Sequence, residues 1–235
     1  MKRNSILLTA GLLAGLATTT CAADWQDLFD GKTLKGWVQH GGKAKYTVED
    51  GCIVGTSVPN TGNSFLCTEK DYANFILEIE FKVDSKLNSG IQIRSQCFDQ
   101  PTPCTDANGQ PVKDAKGTPL KVPADRVHGY QVEIDPSPRA YSGGIYDEGR
   151  RGWLFDLKGK PEAQKAFKKD AWNKYRIECK GDSIRTWVNG VPAADLKDAV
   201  TPKGLIALQV HGIGKDETKI GTKICWRSVR IQVLD

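Results

Sequence analysis

The segment Phe75-Ile-Leu-Glu-Ile-Glu-Phe-Lys-Val83 decides the fold, because its apolar and charged side chains alternate. The apolar residues take every second position and share one face of an extended chain: Phe75, Leu77, Ile79, Phe81 and Val83. The charged residues take the opposite face. Strict alternation of this kind predicts a β-strand with one buried face.

The same alternation recurs along the chain around residues 91–96, 130–135, 175–180 and 206–211. Asn189-Gly190 separates two further strand-like runs, and this pair favours a tight hairpin turn. A single helix is predicted, from Pro161 to Lys169, as a short surface connector. The sequence therefore predicts an all-β fold, a jelly-roll β-sandwich in a single domain over residues 24–235.

The first 23 residues have the order of a secretory signal peptide. Lys2 and Arg3 precede an apolar run that is too short to span a membrane, and small residues follow it. Cleavage would lower the net charge from +5 to +3 because those two basic residues leave. We expect a periplasmic or extracellular protein without a transmembrane segment. Lipidation at Cys21 is an alternative, although the preceding threonines match such sites poorly.

The mature chain carries no basic stripe interleaved with aromatic residues, so no nucleic-acid partner is expected. Its cysteines could form disulfides or be buried as small apolar residues: Cys52, Cys67, Cys97, Cys104, Cys179 and Cys225. Cys97 and Cys104 form the best local pair. The region from Asp99 to Arg126 lacks periodicity, and loops of this length are usually functional or disordered.

The candidate binding residues lie on the polar sides of three predicted strands. They comprise Gln92, Arg94 and Gln96, then Gln131, Glu133 and Asp135, and finally Gln209 and His211. Planar amide, guanidinium, carboxylate and imidazole groups suit directional bonding to sugar hydroxyls. An ordinary solvated face is the alternative for any one strand, whereas three similar strands favour a shared binding sheet.

The segment from Arg139 to Phe155 combines glycines with aromatic and charged residues. Tyr141, Tyr146 and Trp153 offer flat faces for sugar rings, and Glu148 and Arg151 offer polar groups, a mixture typical of small-molecule sites. An aromatic-anchored hairpin is the alternative interpretation.

Glu133-Ile-Asp135 resembles the start of the E-x-D-x-x-E strand of laminarinase-like glycosidases. The third acid would fall at Pro138, so the carboxylate pair that such hydrolysis needs is incomplete. Nucleotide-binding, serine-nucleophile and metalloprotease motifs are lacking.

Seven segments in the same order resemble the 3-keto-disaccharide hydrolase domain family over about residues 25–235. They are LFDGKTLKGW at 28–37, NSGIQIR at 88–94, GYQVEID at 129–135, WNKYRI at 172–177, WVNG at 187–190, GLIALQVH at 204–211 and WRSVRI at 226–231. The resemblance implies a concanavalin A-like sandwich that hydrolyses oxidised glycosides. In many members an acid precedes glutamine in the central strand, whereas Gln131 precedes Glu133 here.

The resemblance implies a mechanism in which a ketone at C3 acidifies the C2 proton, so that a base can remove it and the C1 substituent leaves. We expect Glu133 or His211 to be the base, and Arg94 to stabilise the enolate. Tyr146 or Glu148 would serve the leaving oxygen. The expected substrate-binding residues are Gln92, Gln131, Asp135, Tyr141, Arg151, Trp153 and Gln209.

The sequence predicts no cofactor and leaves a divalent cation at the enolate open. A carbohydrate-binding module without catalysis remains the alternative function, because a sandwich fold serves both roles.

Overall fold

The computed structural model describes residues 24–114 and 116–235, and the predicted signal peptide, with Cys21, lies outside them. Two large antiparallel sheets face each other across an apolar core, so the predicted all-β sandwich is confirmed. Within these residues, no helix is long and apolar enough to cross a membrane.

The first sheet has eight strands. In chain order they are β1 (Trp25–Asp27), β3 (Lys45–Glu49), β4 (Cys52–Thr56), β6 (Phe75–Val83), β13 (Asn173–Lys180), β14 (Ser183–Val188), β15 (Val191–Lys197) and β17 (Lys223–Val233). Across the sheet the order is β15-β14-β13-β6-β17-β4-β3, and β1 pairs with β17.

The second sheet has seven strands. In chain order they are β2 (Trp37–Gly41), β5 (Ser64–Thr68), β7 (Ser89–Gln96), β10 (His128–Ile134), β11 (Ile145–Glu148), β12 (Gly152–Phe155) and β16 (Leu205–Val210). Across the sheet the order is β12-β11-β10-β7-β16-β5-β2, so the three strands with predicted binding residues, β10, β7 and β16, are neighbours.

The apolar faces of the alternating strands form the core between the sheets. Phe75, Leu77, Ile79 and Phe81 of β6 are fully buried there, as are Tyr130, Val132 and Ile134 of β10. Each buried side chain of this size contributes roughly 1.5–3 kcal/mol by leaving water. The period-two pattern therefore identified the core correctly.

The alternation fails at one place, because β7 contains a β-bulge at Arg94. The registers with β10 and β16 both shift there, and Arg94 has a φ of +47°. A bulge adds one residue to one strand and reverses the side on which later residues point. Ser95 consequently joins Gln92 on the outer face, where its hydroxyl donates to the Gln92 amide oxygen at 2.9 Å.

Two other local predictions hold in outline. Asn189 and Gly190 both have positive φ, 50° and 84°, and join β14 to β15. The helix α1 (Pro161–Ala166) is three residues shorter than predicted, because the backbone is extended at Phe167. A 3-10 helix occupies Glu217–Lys219.

The region from Asp99 to Arg126 is an organised insertion. Strands β8 (Thr102–Pro103) and β9 (Lys121–Val122) pair, and Cys104 packs with Val112 and Val122. Cys97 instead packs in a separate cluster with Cys67 on the outer face of the seven-stranded sheet. The predicted Cys97–Cys104 pair is therefore wrong, and all six described cysteines are free thiols.

Candidate active site

A polar cleft of about 540 Å³ opens on the outer face of the seven-stranded sheet, over β10 and β11. It brings together residues from strands and loops: Asn63, Asn88, Gln131, Glu133, Asp135, Ser137, Arg139, Tyr146, Glu148, Trp153 and His211. Seven of the sequence-predicted site residues are among them: Gln131, Glu133, Asp135, Tyr146, Glu148, Trp153 and His211. A cleft of this size suits a small ligand such as a sugar.

Three buried carboxyl groups line the cleft, and Glu133 is one of them, with only 4% of the residue exposed. One carboxylate oxygen accepts from Asn88 Nδ2 at 2.8 Å and from Arg139 Nη2 at 3.4 Å, and the other accepts from Gln131 Nε2 at 2.7 Å. Burial raises the pKa of Glu133 to about 7, because desolvation outweighs the hydrogen bonds that favour the charged form. A carboxyl with this pKa can accept or release a proton near neutral pH.

A series of amide hydrogen bonds supports Glu133 from behind. Ser95 donates to Gln92, and Gln92 Nε2 donates to Gln131 Oε1 at 2.6 Å. Gln209 Nε2 donates to the same oxygen at 2.8 Å, and Gln131 in turn donates to Glu133. Gln92 and Gln209 have no exposed surface. The prediction that these two residues contact substrate is therefore wrong; they hold the Gln131 side chain instead.

Arg139 is the cation of the cleft. Its Nε donates to Asp135 Oδ2 at 2.8 Å, and its guanidinium carbon lies 5.1 Å from the centre of the Trp153 ring. Burial alone would raise the pKa of Asp135, but hydrogen bonds from Ser137 and Arg139 lower it overall. Asp135 is thus an ionised anchor that orients Arg139 beside Glu133.

Aromatic rings form one wall of the cleft. Trp153 meets Tyr146 edge-on with ring centres 5.3 Å apart, and it meets Tyr141 edge-on at 5.1 Å. Burial raises the pKa of the Tyr146 phenol, and the negative charges of Glu148 and Glu133 raise it further. Tyr146 therefore keeps its proton and can donate it. Tyr141 is not among the residues that line the cleft; it supports Trp153.

Glu148 and His211 also line the cleft. Glu148 Oε1 forms an ion pair with Arg126 and accepts from Asn63 Nδ2 at 3.3 Å. His211 Nδ1 lies 2.8 Å from the carbonyl oxygen of Gly212. Because a carbonyl only accepts, Nδ1 carries the proton in this contact, and neutral His211 has Nε2 free to accept one.

The family model of the 3-keto-alpha-glucoside-1,2-lyase-like domain matches residues 24–232, which is nearly all of the described chain. The chain belongs to this family. The resemblance that the sequence segments indicated is thereby confirmed, and family membership supports a function of the glycoside-hydrolase type.

This chain is similar to other proteins in sequence and in fold. A 3-keto-disaccharide hydrolase of Bacteroides thetaiotaomicron is 28% identical over a 261-residue alignment covering 97% of this chain and 84% of that protein. A candidate glycosyl hydrolase of Parabacteroides distasonis superposes with a TM-score of 0.54 at 18% identity, covering 90% of this chain and 94% of the other. A galectin-like protein of Bacillus subtilis gives 0.55 at 10% identity, over 89% and 98%.

Two predicted residues of the lyase-like domain lie elsewhere. Arg94 is fully buried and donates to the carbonyls of Ala73 and Gly181, at 2.7 and 2.8 Å, and to the Asn74 side chain. The bulge points it away from the Gln92 side of the sheet, so the prediction that it binds an enolate in this cleft is wrong.

Arg151, which was predicted to bind substrate, also lies outside the cleft. Its guanidinium donates to Asp147 Oδ2 at 2.6 Å and to Asp198 Oδ2 at 2.8 Å, beside the buried Arg150–Asp147 pair. These ion pairs fasten the β11–β12 turn to the loop after β15. Arg151 is therefore a structural residue of this chain, and it lies outside the cleft.

Four residues that line the cleft were missed by the sequence interpretation: Asn63, Asn88, Ser137 and Arg139. All four lie outside the strands, where periodicity carries no information. Asn88 had a signal, because it immediately precedes β7 inside a segment that resembled the lyase-like family.

A larger depression, about 670 Å³, lies on the outer face of the eight-stranded sheet. Its ionisable groups, among them Glu49, Lys82 and Lys223, are exposed or half-buried, and none has the buried carboxyl arrangement of Glu133. The polar cleft is therefore the candidate active site of this lyase-like protein.

Proposed function

We propose that this chain is an enzyme that cleaves 3-keto-glycosides, including 3-keto-disaccharides, by elimination followed by addition of water. The observation that carries the proposal is Glu133, a buried carboxyl in a sugar-sized cleft with a pKa raised to about 7 and a cation beside it. The other two buried carboxylates of the cleft, Asp135 and Glu148, are held in ion pairs with Arg139 and Arg126. Elimination needs one such base and a stabiliser for the enolate, and does not need the paired carboxylates of ordinary glycoside hydrolysis.

In the first step Glu133 removes the C2 proton of the bound sugar, and the electron pair moves onto the C3 carbonyl oxygen. Arg139 is the group suited to stabilise this oxygen, because it lies against Glu133 and its position is fixed by Asp135 and Trp153. It takes the role that the sequence assigned to Arg94. A fixed cation in a partly desolvated site stabilises a developing oxyanion well.

In the second step the enolate re-forms the carbonyl, a C1–C2 double bond forms, and the bond from C1 to the glycosidic oxygen breaks. Tyr146 donates its proton to the leaving oxygen, since its raised pKa keeps the phenol protonated until then. Glu148 is committed to Arg126 as an ion pair and is better suited to orient a hydroxyl than to donate a proton.

In the third step water adds to C1 of the enone. His211 Nε2 takes the proton from the attacking water and passes it to the Tyr146 phenolate, while protonated Glu133 returns its proton to C2. Every proton is then restored, and the net reaction is hydrolysis. The accessible Nε2, with Nδ1 held by Gly212, supports this role for His211.

The decisive experiment compares Glu133→Gln with Glu80→Gln on a 3-keto glucoside and on 3-ketotrehalose. Glu80 lies on the outer face of the other sheet, so it controls for loss of one carboxylate. We expect turnover to fall by about 10²–10⁴-fold in Glu133→Gln only. Deuterium at C2 of the substrate should slow the wild-type reaction, because the C2–H bond breaks.

Three results would count against the proposal. Near-normal turnover in Glu133→Gln would remove the base, and cleavage of unoxidised glycosides at the same rate would remove the role of the ketone. Saturable binding of unoxidised glycans without any product would favour a carbohydrate-binding module instead.

A further inference from the structure

Outside the cleft, a histidine, a cysteine and an aspartate converge from three separate parts of the chain. His40 belongs to β2, Cys97 follows β7, and Asp125 precedes β10. One ligand atom from each lies within 4.8 Å of the other two. His40 Nδ1 is 2.7 Å from Asp125 Oδ1, and Cys97 Sγ is 3.9 Å from the same oxygen.

We propose that His40, Cys97 and Asp125 form a binding site for a divalent transition-metal ion of the zinc class. An imidazole nitrogen, a thiolate and a carboxylate oxygen are the three ligand types that zinc uses, whereas calcium and magnesium prefer oxygen alone. Zinc bond lengths in a tetrahedron require ligand atoms about 3.3–3.6 Å apart. The observed separations bracket this range, so small side-chain movements suffice.

The aspartate is held in position by its own neighbours. Gly41 N–H donates to Asp125 Oδ2 at 3.2 Å, and the Asp125 N–H donates to the Phe98 carbonyl at 2.9 Å. Oδ1 is therefore directed at His40 and Cys97. Within the described chain, no lysine or arginine lies within ion-pair distance of Asp125, so a cation would not have to displace one.

The charge around Cys97 also favours a cation. The carboxylates of Asp125 and Asp99 lie near the Cys97 thiol and give its surroundings a negative charge. Metal binding would convert the thiol to a thiolate and release its proton to solvent, with no change in oxidation state.

Three protein ligands leave the fourth position of a tetrahedral ion open to water or a further ligand. The site lies where the insertion of residues 99–126 joins the seven-stranded sheet, on the outer face of that sheet, and Asp125 directly precedes Arg126 of the Glu148 pair. The proposal uses none of the groups assigned to sugar cleavage, so it stands or falls separately from the proposed function.

Cobalt(II) is a suitable probe, because a cobalt–thiolate bond absorbs in the near ultraviolet. The reduced protein, freed of any histidine tag, is titrated with cobalt and then with zinc. We expect a thiolate charge-transfer band that saturates at one ion per chain and disappears when zinc displaces cobalt. Cys97→Ser should abolish the band and weaken zinc binding by about 100-fold or more.

Cys52→Ser is the matched control, since Cys52 is similarly half-buried but lies on the other sheet, and it should retain the band. Alkylation of the wild type, mapped by peptide mass spectrometry, gives a second readout that needs no variant to fold. Zinc should protect Cys97 and leave Cys52 reactive. Absence of the band in the wild type, or unprotected Cys97, would reduce the cluster to a hydrogen-bonded His40–Asp125 pair and overturn the proposal.

Discussion

The outer faces of the two sheets arise from the same alternation of side chains but hold their polar groups differently. On the eight-stranded sheet, carboxylates pair with half-exposed cations: Glu78 with Lys174, Arg176 and Arg230, Glu80 with Arg227, and Glu178 with Arg176 and Arg185. On the seven-stranded sheet, the buried amides Gln92 and Gln209 both donate to Gln131, and Gln131 donates to Glu133.

The difference lies in what water can replace. A half-exposed ion pair loses little when one partner is removed, because solvent and salt screen the remaining charge. A buried amide that loses its partner keeps an unsatisfied donor, which costs about 1–3 kcal/mol each time. Alternation thus identifies an outward face, and the residue types on that face separate a solvated surface from an organised site.

The largest expected effect follows from breaking the amide series at Gln131. Gln131→Leu leaves the side-chain N–H groups of Gln92 and Gln209 without acceptors, and Glu133 loses one of its donors. We expect the free energy of unfolding to fall by about 3 kcal/mol or more, and turnover of a 3-keto glucoside by about 100-fold. Chemical denaturation and a product assay measure the two quantities.

Gln96→Leu is the matched control, because it makes the same change at the half-buried end of β7. It should alter stability by less than about 1 kcal/mol. Equal losses in the two variants would mean that the buried series contributes nothing special.

The next largest effect is the pH dependence of stability that Glu133 causes. Burial raises the pKa of Glu133 from 4.5 to about 7, so the folded protein holds this proton more tightly than the unfolded chain does. The stability that Glu133 contributes is therefore complete at acid pH and is lost as the pH rises from about 4.5 through 7, by roughly 3 kcal/mol.

Glu133→Gln removes this titration. Relative to wild type, the variant should gain stability as the pH rises from about 5 to 8, measured by denaturation at several pH values. The same ionisation should give wild-type kcat/KM an ascending limb near pH 7, since only the carboxylate accepts the C2 proton. A stability difference that does not change with pH would contradict the assignment.

The sequence predicted which residues share the cleft where their position follows from strand geometry. Gln131 and Glu133 lie on β10, and His211 immediately follows β16, a near neighbour in the same sheet, so alternation was enough to place them on one face. The family resemblance suggested the chemistry that we propose, and the strand order explains why distant segments meet. Neither required knowledge of the loops.

Two kinds of failure arise from local irregularity, namely a bulge and loops. A single bulged residue at Arg94 reversed the face of everything after it in β7, and period-two reasoning has no means to detect an extra residue. Arg126 and Arg139 lie in loops, where position depends on tertiary contacts alone. The Arg151 guanidinium could bind a sugar, but its hydrogen bonds are already made to Asp147 and Asp198.

The bulge can be tested by removing the guanidinium that it buries. Arg94→Met keeps much of the side-chain volume but leaves the carbonyls of Ala73 and Gly181 without their donor. We expect a loss of about 2 kcal/mol in unfolding free energy, with kcat of the folded variant within about twofold of wild type. A large fall in kcat at full stability would return Arg94 to the mechanism.

The smallest effect is expected on the solvated face, and it decides whether the two faces really differ. Glu80→Gln weakens the contact with Arg227, which also packs over the Trp172 ring at 3.9 Å and so keeps a partner. The unfolding free energy should fall by less than about 1 kcal/mol, and the difference should shrink further in high salt because exposed charges are screened. Denaturation at low and high ionic strength measures it, with Gln131→Leu as the salt-insensitive reference. A loss as large and as salt-insensitive as that of Gln131→Leu would show that both faces depend on their polar groups for folding. Burial of the polar groups would then not distinguish the site from the other face.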